Sequence, residues 1–164
     1  MARRSGKKSV LIITFGNQDA GDDGFGHAVA EILRADPVPD VMVKELGTRL
    51  SHLLDYAAEY AALIIVDAVC CPGDKPGSLM DVDWSDPTRP ALRREEELST
   101  HGISLAGQIE LGQCLEMLPA CIRLVGVNIG RITTGCPMTE AVRRRIPEAA
   151  GLIRKHAARI MNSL

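Results

Sequence analysis

Apolar positions along this chain alternate between two kinds of run. Val10–Phe15 (VLIITF) and Leu63–Val69 (LIIVDAV) are continuous and rich in β-branched residues, as expected of strands covered on both faces. Val41–Leu46 and Ile122–Ile129 read as two further strands, and Ser78–Val82 as a short edge strand. Between them, apolar residues recur at helical spacing over His27–Leu33, Leu50–Tyr60, Ile103–Leu118 and Thr139–Met161. Pro37 and Pro39 stop the first helix, because a residue before proline disfavours the α conformation, and Pro147 predicts a break in the last. The polar, proline-punctuated stretch Asp83–Thr100 reads as a loop with a helical turn near Arg93–Leu98. Strand–helix alternation with continuous apolar strands predicts a single α/β domain, a largely parallel sheet with helices on both faces.

Composition narrows the function classes. The 164 residues are 46% hydrophobic and 24% charged, with a formal charge of −2, which excludes a disordered chain and suits one domain. Only 3% are aromatic and no basic surplus exists, so a general nucleic-acid binder is excluded. The apolar part of the N-terminal MARRSGKKSVLIITFG is too short for a signal peptide, and no stretch approaches the roughly 20 apolar residues of a membrane span. Five cysteines (70, 71, 114, 121 and 136), with no CxxC pair, fit a reducing compartment. A cytoplasmic protein without membrane insertion is expected.

Candidate chemistry gathers at one edge of the predicted sheet. Open α/β sheets bind ligands at the carboxyl ends of their strands, where the strand order reverses. The first strand delivers the loop GNQDAGDDG, with Asp22 and Asp23, to that edge, and Asp67 ends the third strand. A strand order beginning 2-1-3 makes these carboxylates face one crevice. His101, in STHGISL, precedes the third helix at the same edge. Two carboxylates and an imidazole form a mixed O/N set suited to nickel or zinc. The plainer alternatives are a turn cap for Asp67, a helix cap for Asp22 or Asp23, and a solvated loop histidine. An acid inside LIIVDAV weighs against the first, since a buried carboxylate needs a partner. Gly16, Gly21, Gly24 and Gly26 lack GxGxxG spacing, and three aspartates in the loop would repel phosphate.

FGNQDAGDDGFG, LIIVDAV, STHGISL and LVGVNIG, in that order, closely resemble the hydrogenase maturation endopeptidases over nearly the whole chain. The resemblance implies a peptide-bond hydrolase that trims the C-terminal extension of the large-subunit precursor of a nickel–iron hydrogenase. It implies a three-layer sandwich whose five-stranded sheet has an antiparallel edge strand. It also implies that Asp23, Asp67 and His101 contact a nickel ion supplied by the substrate, with no permanently bound metal. Asp22 is then a candidate general base, and the working unit is expected to be a monomer. Two departures stand out: NIGRITTGCP lacks the acid many relatives carry after the fifth strand, and Gly135-Cys136-Pro137 replaces a Gly-x-Ser/Thr-Pro turn.

His27, four residues after Asp23, is a candidate extension of the metal site if the helix begins that early. Cys70 and Cys71 are soft ligands close to Asp67, although small buried residues at a strand end are the plainer reading. The Asp83–Thr100 loop is a candidate cover for the crevice. The competing functions are a non-catalytic nickel-binding chaperone of the same subunit and a flavodoxin-like small-molecule site.

Overall fold

The computed structural model describes residues 9–70, 73–88, 104–130 and 132–164. Five strands form one sheet: β1 (Val10–Phe15), β2 (Val41–Gly47), β3 (Ala62–Val69), β4 (Leu79–Asp83) and β5 (Cys121–Asn128), in the order β2-β1-β3-β5-β4. All neighbours run parallel except β4, which pairs antiparallel with β5 at one edge. The 2-1-3 order and the antiparallel edge strand agree with the sequence reading.

The helices are α1 (Phe25–Ala35), α2 (Leu53–Ala57), α3 (Leu105–Cys114), α4 (Glu140–Arg143) and α5 (Ile146–Ser163). Alternation along the strands divides the core. Val10, Ile12, Ile64 and Val66 pack with Phe25 and Val29 of α1 and Ile153 of α5. Leu11, Ile13, Leu63 and Ile65 pack on the other face with Leu53 of α2 and Ile109 of α3. Both faces of the sheet are thereby covered, which is why β1 and β3 carry no alternating polar positions.

Three elements differ from the sequence reading for identifiable reasons. The helical pattern over Leu50–Tyr60 contracts to a 3-10 turn, Leu50–His52, followed by the five residues of α2. Pro147 does not break the last helix. It lies in the first turn of α5, where its missing N–H is no loss, and the interruption falls just before, at residues 144–145. Trp84, at the head of the segment read as a polar loop, is buried in the core beside Val82.

The edge strand is tied back by an ion pair at the surface that reaches one buried histidine. Asp81 on β4 accepts hydrogen bonds from Arg123 on β5 (Nη2 to Oδ1, 2.8 Å) and from Nε2 of the buried His156 on α5 (2.8 Å to Oδ2). Burial opposes ionisation of Asp81, but the bonds from Arg123 and His156 outweigh it and hold the carboxyl below its ordinary range. Its stabilising contribution is therefore present above the unfolded-chain value near 3.9 and is lost as pH falls through the lower folded value. Asp81→Ala is expected to destabilise the protein by about 1–2 kcal/mol at pH 7. The deficit should shrink below pH about 3, which urea denaturation at the two pH values would reveal.

Candidate active site

The crevice at the carboxyl edge begins where β1 leaves the sheet. β1 and β3 stay paired as far as Thr14 and Val66. Beyond that point Asp67, Ala68 and Val69 pair only with Gly126, Val127 and Asn128 of β5, while Phe15 has shifted toward Gly47 of β2. Asp67 is thus the first residue of β3 to stand free of β1, at the reversal of strand order where such folds bind ligands.

The first loop is folded back over this gap. Gly16 has φ +118°, a left-handed conformation that glycine supplies without strain, and donates its N–H to the carbonyl of Gly47 (2.9 Å). The chain then turns through Asn17–Ala20 into a 3-10 turn, Gly21–Gly24, which contacts β3. A Cβ on Gly16 would lie 2.0 Å from the carbonyl oxygen of Asp23, so only glycine lets the two backbone segments approach this closely. Gly26 has the same role one turn on: a Cβ there would lie 2.1 Å from the carbonyl oxygen of Phe15. This explains the glycine pattern of the motif without any phosphate.

Asp23 and Asp67 occupy desolvated positions close enough to influence each other. Burial raises the Asp23 carboxyl, opposed by a 2.7 Å hydrogen bond that its Oδ2 accepts from the Asn17 N–H. Asp67 is pushed up to about 8, by burial first and then by the charge on Asp23; the Ala68 N–H acts in the opposite direction. Asp67 is therefore largely protonated at neutral pH while Asp23 lies beside it. Two neighbouring acids in a desolvated crevice supply oxygen donors of the kind a divalent cation favours, and binding one there would be coupled to release of the Asp67 proton.

The remaining sequence candidates fall as follows. Both oxygens of Asp22 are engaged by Thr139: Oδ1 accepts from its N–H (2.6 Å) and Oδ2 from its hydroxyl (3.0 Å). These bonds tie the first loop to the turn before α4. His27 lies on α1, where Nδ1–H donates to Glu45 on β2 (2.7 Å) and Nε2 faces Glu31 (3.7 Å). Glu45 also takes Arg34, so His27 pins α1 to β2. Among the described residues no three His, Cys, Asp or Glu side chains are grouped to hold a metal ion, so His27 does not complete a triad with the two acids. Cys70 is partly buried just beyond β3 and is not part of a disulfide. His101, Cys71 and residues 89–100 of the proposed Asp83–Thr100 cover loop lie outside the described residues. The Asp22–Thr139 contact was not foreseen from sequence, since 117 positions separate its partners.

Fold and site together define a doubly wound α/β protein with two neighbouring carboxylates where its strand order reverses. The profile of the hydrogenase maturation protease family matches residues 27–156, a span that includes Asp67. The chain belongs to that family, whose members are endopeptidases. It is similar to the hydrogenase maturating endopeptidase HybD from E. coli, with 26% identity, 88% of this chain and 89% of that one covered, and a TM-score of 0.71. It is also similar to the NiFe hydrogenase maturation protease HycI from Thermococcus kodakarensis KOD1, with 27% identity, 96% and 95% coverage, and a TM-score of 0.66. A further endopeptidase solution structure from Escherichia coli aligns at 26% identity, 88% and 89% coverage, and a TM-score of 0.76. No curated protein matches the chain by sequence at a significant level. No helix among the described residues is long and apolar enough to cross a membrane.

Proposed function

We propose that this protein removes the C-terminal extension of a nickel–iron hydrogenase large-subunit precursor after nickel has been inserted. The substrate's own nickel is the recognition element. The observation that carries this reading is the coupling of Asp23 with Asp67 at the sheet's reversal point, in a chain whose family is that of hydrogenase maturation proteases. A pair of acids that cannot both ionise cheaply in the free protein gains most from an arriving dication. Nickel relieves their repulsion and releases the Asp67 proton, so an unloaded precursor gains nothing from the pair. Asp23 and Asp67 serve as two oxygen ligands and His101 as the nitrogen ligand, a mixed set within nickel's preferences. Nickel held by these residues would supply Lewis-acid polarisation of the adjoining peptide carbonyl toward water.

The reading is tested by incubating the protein with nickel-loaded and nickel-free precursor and measuring both masses. Shortening of the loaded form alone is the expected outcome. An intact loaded precursor would favour the chaperone reading. The flavodoxin-like alternative fits the first loop poorly, since Asp19, Asp22 and Asp23 stand where backbone and hydroxyl donors to phosphate would be needed.

A further inference from the structure

The last turn before α4 is fastened to the first loop at three points. Gly135 donates its N–H to the carbonyl of Asp19 (2.8 Å). Gly21, at φ +60°, lies so that a Cβ there would be 3.4 Å from the carbonyl oxygens of both Thr133 and Cys136. The third point is the two-pronged bond from Thr139 to Asp22, the one acid that is buried among the described residues. Thr139 precedes α4 in extended conformation; its carbonyl accepts the Arg143 N–H (2.9 Å), but its side chain makes no capping bond to that helix. Its hydroxyl is directed across the molecule instead.

We propose that Thr139 is a positioning residue for Asp23, acting through Asp22. Asp23 is immobilised on one side by its Asn17 hydrogen bond and at its back by Gly16. Asp22 is the preceding residue of the same 3-10 turn, and its clamp on Thr139 fixes the turn at a second point. Removing the hydroxyl frees Asp22 Oδ2, lets the turn relax, and displaces the Asp23 carboxylate relative to Asp67. Small misplacements of reacting groups are costly: about 1 Å can remove a hundredfold in rate. The inference concerns the same site as the proposed protease activity and rests on that reading for its kinetic test.

Thr139→Val preserves shape and the backbone N–H while removing the hydroxyl. We expect kcat for nickel-loaded precursor to fall about tenfold with KM within about twofold. Thr139→Ser should restore it, and Asp22→Ala combined with Thr139→Val should be no slower than Asp22→Ala alone. Hydrogen exchange supplies a readout independent of activity. A clamp that reaches Asp23 raises the exchange rate of the Asn17 amide about tenfold in Thr139→Val, whereas a purely local contact alters Thr139 and its neighbours only. Asp22→Asn gives the same two measurements should Thr139→Val fail to fold, which its melting curve reveals. Unchanged Asn17 exchange or unchanged kcat overturns the inference. A wild-type protein inert toward precursor, with the exchange effect present, would overturn the protease reading and leave the clamp standing.

Discussion

Asp67→Asn is expected to abolish processing of nickel-loaded precursor while making the folded protein more stable at alkaline pH. The activity loss follows from removing one of the two anionic ligands proposed for nickel. Loss of mere supporting partners around metal sites costs ten- to a hundredfold, so more than about a hundredfold is expected here. The stability gain follows from the raised carboxyl. Below pH about 3, Asp67 is neutral in folded and unfolded chains alike and imposes no penalty. Between there and about 8 the unfolded chain releases its proton and the folded chain retains it, so folding must take up a proton and stability declines with rising pH. Asparagine does not ionise and escapes this penalty. The variant's melting temperature should match the wild type near pH 3, apart from a constant offset, and gain on the order of 5 °C or more by pH 8. A difference that does not change with pH would contradict the assignment of Asp67 as the desolvated member of the pair.

Gly16→Ala should have the opposite stability effect and the same functional one. The new methyl would lie 2.0 Å from the Asp23 carbonyl oxygen, a backbone atom that cannot rotate away, and alanine would have to adopt φ +118°. Both penalties act together, and a loss of about 3 kcal/mol or more is expected, lowering the melting temperature by on the order of 10 °C. The loop would lift from β1 to accommodate the methyl, carrying Asp23 with it, so processing should fall even at temperatures where the variant is folded. Gly151→Ala is the control: nothing lies within 4 Å of a Cβ there, and alanine is the better helix former. A Gly16→Ala variant as stable and active as that control would show that the tight approach is dispensable.

These particulars explain how much was legible in the sequence. The sheet was readable because β1 and β3 are apolar on both faces, and the same property exposed Asp67, the single acid in an otherwise apolar run. The glycine-rich loop announced a close backbone approach, although not which backbone it approaches. What eluded the sequence depends on contacts between distant segments. Asp22 looks like any acid ahead of a helix until Thr139 arrives from 117 residues away. His27 has the right spacing to join Asp23, but Glu45 on the neighbouring strand takes its Nδ1–H. Trp84 stands among acids and prolines and reads as surface, whereas antiparallel pairing of β4 swings it into the core. Pro147 signals a helix interruption correctly in kind, but proline suits a first helical turn, so the interruption precedes it.

The central claim is that the acid pair at the sheet's reversal point receives nickel from a precursor and permits cleavage of its C-terminal extension. Its most direct test is the mass of a nickel-loaded hydrogenase large-subunit precursor after incubation with wild-type protein, Asp23→Ala or Asp67→Ala, beside the same precursor without nickel. The account predicts loss of the C-terminal extension only when loaded precursor meets wild-type protein. Equal trimming by either alanine variant, or equal trimming of the nickel-free precursor, would contradict it.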